Sequence, residues 1–139
     1  MSEAFVADAS VGFSWIYPSQ ASSETDRLLE EVEAGAVVVV PSLWYLEIAN
    51  GLLAAQRRKL LTAAERKEAL TRLSGLSLSV DEETGQAAFH KTSELAEKYG
   101  LSVYDAAYLE AAIRRKLPLA SRDQPLRATA KRCNVKLRI

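Results

Sequence analysis

The sequence predicts an α/β domain of three layers, with helices covering both faces of a mostly parallel, five-stranded sheet. Three observations carry that prediction. Ala4-Phe5-Val6-Ala7 and Ala36 to Val40 are apolar without alternation, which marks strands buried on both faces. Apolar residues at helical spacing fill the stretches between and after them. Strand and helix signals then alternate to the end of the chain, as crossovers between parallel strands require. With 139 residues, 48% of them hydrophobic and 26% charged, residues 1–139 are expected to form one domain around one core.

The elements follow in order. Asp8 stops the first strand, and Ser10 offers an N-cap to a short helix, VGFSWIY, that Pro18 closes. Residues 21 to 34 read as an acidic helix with Leu28, Leu29 and Val32 on its buried side, ended by Gly35. Ala36 to Val40 is the clearest strand, and Pro41-Ser42 leads into a helix, LWYLEIANGLLAAQRRK. Gly51 within it implies close approach of another backbone, since glycine costs about 1 kcal/mol in a helix interior. Trp44, Tyr45, Ile48 and Leu52 share an apolar face, either this helix's core side or a surface covered by a partner. Thr62 and Glu65 form a capping box for the helix to Leu73, and Leu76 to Val80 alternates as a strand. Asp81 to Tyr99 reads as one long amphipathic helix with Ala88, Leu95 and Ala96 inward, ended by Gly100. A helix opening at Ser102 runs to about Lys116, followed by a strand, Leu117 to Ser121. Pro125 to Cys133 is then a short basic helix, and Val135 to Ile139 the fifth strand.

Composition excludes several classes. No apolar run approaches the ~20 residues of a membrane span, and no basic-then-apolar signal opens the chain. Cys133 is the only cysteine, so an internal disulfide is excluded and a reducing cytoplasm is the expected location. His90, the only histidine, reads as a helix-surface residue rather than a metal ligand. The net charge is zero but unevenly spread. Residues 24–33 carry five acids, whereas residues 110–139 carry nine of the eighteen Lys and Arg. Arg57-Arg58-Lys59 adds a second basic cluster, and such runs suit either a solvated face or a polyanion partner.

Four acids stand out. Asp8 and Asp123 sit where strands of parallel polarity end, the edge at which open α/β sheets bind ligands. Asp105 has capping-box spacing from Ser102 and also heads an apolar stripe through Leu109, Ala112 and Ile113. Glu47 lies in the otherwise apolar first two turns of its helix, with Asn50 and Gly51 on the same side. Each has a plainer reading: a cap for Asp105, a turn opener for Asp123, an exposed side chain for Glu47. Taken together, four carboxylates from four distant segments are expected to meet at one edge. Such a cluster repels itself unless a cation joins it. A set without His or Cys suits Mg²⁺, or Mn²⁺, over Zn²⁺. A hard cation that binds a phosphate oxygen and activates water serves phosphodiester hydrolysis, with basic arms to hold the nucleic-acid backbone.

The residues around these acids resemble a known family. Phe5 to Ser10 (FVADAS), Glu47 to Asn50 (EIAN), Leu101 to Ala106 (LSVYDA) and Leu119 to Asp123 (LASRD) are similar to the four acidic motifs of PIN-domain ribonucleases. In size and motif order the chain resembles in particular the VapC toxins of type II toxin–antitoxin pairs. That resemblance implies a parallel sheet of order 3-2-1-4-5, an endoribonuclease activity on RNA, a homodimer, and inhibition by a small VapB-type antitoxin. It also implies Asp8, Glu47, Asp105 and Asp123 as catalytic, metal-binding acids, supported by Ser10, Asn50 and Ser121. Gln124-Pro125 departs from the pattern, because many relatives carry a further acid there, and one ion or two stays open. The rival readings are a receiver-like signalling module and a catalytically inert PIN-like interaction protein. A receiver needs paired acids after the first strand and a late-strand Lys, and this chain has neither.

Overall fold

The computed structural model describes residues 4–139. Its sheet is parallel throughout, with β1 (Phe5–Ala7), β2 (Val38–Val40), β3 (Leu78–Val80) and β4 (Leu119–Ala120) in the order β3-β2-β1-β4. Phe5, Val6 and Ala7 are completely buried, so the central strand is covered on both faces, as its unbroken apolar run required. Register is set by Val6, which pairs with Val39 on one side and Leu119 on the other.

The expected fifth strand is not formed among the described residues. Leu137 makes a single parallel bridge to Leu119, outside β4, with Arg138 N–H donating to the Leu119 carbonyl at 2.8 Å. β4 is two residues long, Ser121 after it bonds back to Asp8, and residues 136–138 meet the strand only at Leu119, whose N–H donates to the Lys136 carbonyl at 2.9 Å. The segment still occupies the place of strand five in the order 3-2-1-4-5.

Helices fall into two groups that flank the strands. α1 (Ala9–Ile16) packs on α2 (Ser23–Glu33) and α3 (Leu43–Arg57), and α3 on α4 (Ala63–Ser74). α5 (Thr84–Ala87) and α6 (Ser93–Tyr99) pack with α7 (Val103–Arg115), which also touches α8 (Gln124–Arg132) and β1. Residues 106–112 of α7 are buried without exception, which makes it the central helix. The Thr62–Glu65 capping box forms as read, and Ser22 with Thr25 supplies a second one to α2. Among the described residues no helix is long and apolar enough to cross a membrane.

Three local expectations are corrected, and one left open is decided. Asp8, not Ser10, caps α1, because the helix begins directly after the strand and its carboxylate reaches Val11 N–H. The long helix from Asp81 starts instead at Thr84 and contains a π-helical turn, Ala88–Thr92, where Ser93 Oγ donates to the Ala88 carbonyl. Asp81 is diverted from that helix: its N–H extends the ladder to Val40, and Arg114, Arg115 and Thr84 take its carboxylate. Gly51 is approached by a ring rather than a backbone, since a Cβ there would lie 2.2 Å from Phe13 Cζ. The Trp44 face is mostly core: Trp44, Ile48 and Leu52 are buried, and only Tyr45 of the four is exposed.

Candidate active site

The site grows out of one strand end. β1 delivers Asp8, and its carboxylate is fixed from two sides before any ligand is considered. Ser10 Oγ donates to Oδ1 at 2.5 Å, and Ser121 Oγ donates to Oδ2 at 2.6 Å. The Asp8 carbonyl accepts from Trp44 Nε1 at 3.3 Å, which ties the strand end to the helix that carries Glu47. Ser121 closes a second link, because its hydroxyl also accepts the Asp123 N–H at 3.0 Å. Asp123 in turn caps α8, taking Leu126 N–H at 2.9 Å. Ser10 Oγ accepts Arg122 N–H at 2.9 Å, so the loop after β4 is pinned to the loop after β1 at two points.

Glu47 and Asp105 approach from helices. Asp105 lies in the first turn of α7, where its N–H donates to the capping Ser102 Oγ. One turn further along, Tyr108 is buried and its hydroxyl donates to Glu47 Oε1 at 2.5 Å. Tyr108 stands outside the four acidic motifs. Its signal was the three-residue step from Asp105, which places both on one side of the helix. Asn50, by contrast, is exposed and joins none of these hydrogen bonds.

Electrostatics connect the acids through Asp105. Burial, and then the charge of Asp123, push the Asp105 carboxyl above its ordinary range. Burial also raises Asp8 and Glu47; hydrogen bonds from Ser10, Ser121 and Tyr108 oppose the rise, and the charge of Asp105 adds to it. Tyr108 is driven far above the usual phenol range by burial, by its bond to Glu47, and by the surrounding carboxylates. Asp105 thus lies within electrostatic reach of all three other acids. Among the described residues, no three Asp, Glu, His or Cys side chains stand at the spacing of ligands to one ion. Ser10, Ser121 and Tyr108 already donate to three of the carboxylate oxygens. The donors are anionic, all-oxygen and short of positive charge, and that chemistry fits a hard divalent cation.

The ion-paired Asp81 behaves oppositely. Burial would raise Asp81, but hydrogen bonds from Arg114, Thr84 and Arg115 hold it well below the usual carboxylate range. Arg114 also bonds Glu110 through Nε and Nη2. The i, i+4 spacing of Glu110 and Arg114 was visible in the sequence; the contact to Asp81 was not.

A parallel sheet of order 3-2-1-4 with Asp8 and Asp123 following two of its strands defines an α/β domain with a polar, anionic edge. The PIN domain family model matches residues 5–132, and the chain belongs to that family. A receiver-like module is thereby set aside. No curated protein matches the chain by sequence. Among solved structures, PAE2754 from Pyrobaculum aerophilum is similar at 21% identity over 93% of this chain and 87% of that one, with a TM-score of 0.64. VapBC2 from Rickettsia felis, bound to a DNA fragment from their promoter, is similar at 14% identity over 96% of each chain, with a TM-score of 0.68. FitAcB from Neisseria gonorrhoeae is similar at 18% identity over 96% and 95%, with a TM-score of 0.63. At such identities the likeness is one of fold.

Proposed function

We propose that this chain is a metal-dependent endoribonuclease and the toxin of a type II toxin–antitoxin pair. The observation that carries this reading is the charge cluster centred on Asp105, with Asp8, Glu47 and Asp105 all raised by burial and by neighbouring acids. Asp8, Glu47, Asp105 and Asp123 would hold Mg²⁺ or Mn²⁺, whose service when bound is to neutralise the phosphate and acidify water. Ser10 and Ser121 fix the plane of Asp8, and Tyr108 fixes Glu47. In the hydrolysis, the water oxygen bonds phosphorus as the bond to O3′ breaks. The proton the water gives up is lost to solvent, O3′ takes one from solvent as it leaves, and the other fragment keeps a 5′-phosphate.

The partners follow from the same reading. RNA is the substrate, a small VapB-type antitoxin the inhibitor, and a second copy the dimer mate. Solved neighbours that include a "Toxin-antitoxin complex from Klebsiella pneumoniae" support the antitoxin. Purified protein should cut single-stranded or loop RNA with Mg²⁺ or Mn²⁺, leave 5′-phosphates, and stop in EDTA. Cleavage without metal, or ends bearing 2′,3′-cyclic phosphate, would overturn the mechanism. Cleavage of no RNA under any of these conditions would return the chain to an inert interaction module.

A further inference from the structure

Beside the acids, on the far side of the β4–α8 loop, lies a cleft of about 300 Å³ lined by Ser22, Thr25, Ser121, Arg122, Gln124 and Arg127. Ser121 belongs to both places: its hydroxyl faces Asp8 while the residue also lines the cleft. The cleft therefore begins where the acid cluster ends.

Both arginines of the cleft donate to backbone oxygens. Arg127 is half-buried, and its Nη1 donates to the Ser121 carbonyl at 3.0 Å and to the Ile139 carbonyl. Arg122 is exposed, and its Nη1 donates to the Gln20 carbonyl. Arg122 forms no ion pair among the described residues. Backbone carbonyls position a guanidinium without cancelling its charge. Each keeps further N–H donors in the planar fork that matches a phosphate. Glu24, exposed on the cleft's lining, is the one acid there and makes no ion pair with either arginine.

We infer that this cleft is a phosphate subsite that holds the RNA backbone next to the scissile bond, with Arg122 and Arg127 as its ligands. The inference rests on the nuclease reading above and adds to it the path of the strand. An acid cluster repels a polyanion, and a metal ion would relieve that repulsion only at the phosphate it touches. The neighbouring phosphate needs its own cation, and the cleft offers two where the loop leaves the site.

The test is binding, not turnover. Fluorescence anisotropy with a labelled single-stranded oligoribonucleotide, in EDTA and between about 50 and 200 mM salt, gives the slope of log K against log salt. Each lost phosphate contact on a single strand should lower that slope by about 0.7. Arg122→Gln, an exposed position, should lower it by that amount and weaken binding several-fold at the low-salt end. Glu24→Gln should strengthen binding. A neutral methylphosphonate scanned along the oligonucleotide should weaken wild type at one linkage and add nothing to Arg122→Gln there. An unchanged slope in Arg122→Gln and unchanged affinity in Glu24→Gln, with wild-type RNA cleavage intact, would overturn the subsite and leave the nuclease reading standing. The expected slopes in a protein that cleaves no RNA would do the reverse. No RNA binding by wild type at low salt would overturn both.

Discussion

Tyr108→Phe removes one oxygen and leaves the ring that fills the core, so its effect isolates the bond to Glu47. That bond is a 2.5 Å hydroxyl–carboxylate contact, a type worth about 1.5–3 kcal/mol. Glu47 is half-buried, so water reaches the freed carboxylate and replaces part of what is lost. The expected cost is therefore near the lower end, about 1.5 kcal/mol, read from urea unfolding in EDTA with an unchanged slope m. Glu47→Gln keeps the shape and weakens the same bond, so the two substitutions should not add. A double-mutant cycle should return a coupling of roughly 1 kcal/mol. A coupling within error of zero would mean that the hydroxyl and the carboxylate do not recognise each other, and the account of how Glu47 is positioned would fail. Weaker binding of Mn²⁺ by Tyr108→Phe, followed by titration calorimetry, should accompany the stability loss.

Other substitutions probe the acids, the packing and the ion network. Asp105→Asn deletes a carboxylate whose folded pKa is raised, so its charge is unfavourable once pH exceeds the unfolded carboxyl value. In EDTA the variant should match wild type near pH 4 and melt increasingly above it toward neutrality. A variant that melts lower than wild type at pH 7 by the ~0.3–1 kcal/mol of a lost helix-terminal charge would reduce Asp105 to a cap. Gly51→Ala sets about 1 kcal/mol of helix propensity against the contact with Phe13, which costs about 1–3 kcal/mol. A net loss of stability is expected, relieved by Phe13→Leu; a stabilised single variant would show that the ring yields freely. Arg114→Met should cost roughly 3 kcal/mol by leaving Asp81 and Glu110 buried without their shared partner, and thermal melts across pH should show the loss easing in acid.

Much of this molecule is legible before folding, and the illegible parts share a cause. Local patterns were enough for the buried strands around Val6 and Val39, the Thr62 cap, and the helix that starts at Ser102. The acids at Asp8 and Asp105 stood out because a charge beside an apolar run needs a reason. Tyr108 did not stand out, since an aromatic residue in a buried helix already has one. Its hydroxyl matters only through Glu47, sixty-one residues away in sequence, which no local pattern encodes. The start of the helix after β3 was misplaced for a similar reason. Asp81 looks like a helix opener until Arg114 and Arg115, thirty-three and thirty-four residues later, claim its carboxylate. Ser121, after the short β4, likewise reaches back to Asp8, a contact that spans 113 residues.

The central helix α7 is loaded differently at its two ends. Its first turn carries Asp105 among like charges that push outward, while its last turn carries Arg114 and Arg115 among carboxylates that pull inward. Anchorage and reactivity are thus separated along one rigid rod. Sequence drift at the repelling end is released from the duty of holding the domain together, because the attractive end performs it. The same rod gives the acid end no way to relax by sliding. What repulsion builds up there persists until a ligand of opposite charge arrives.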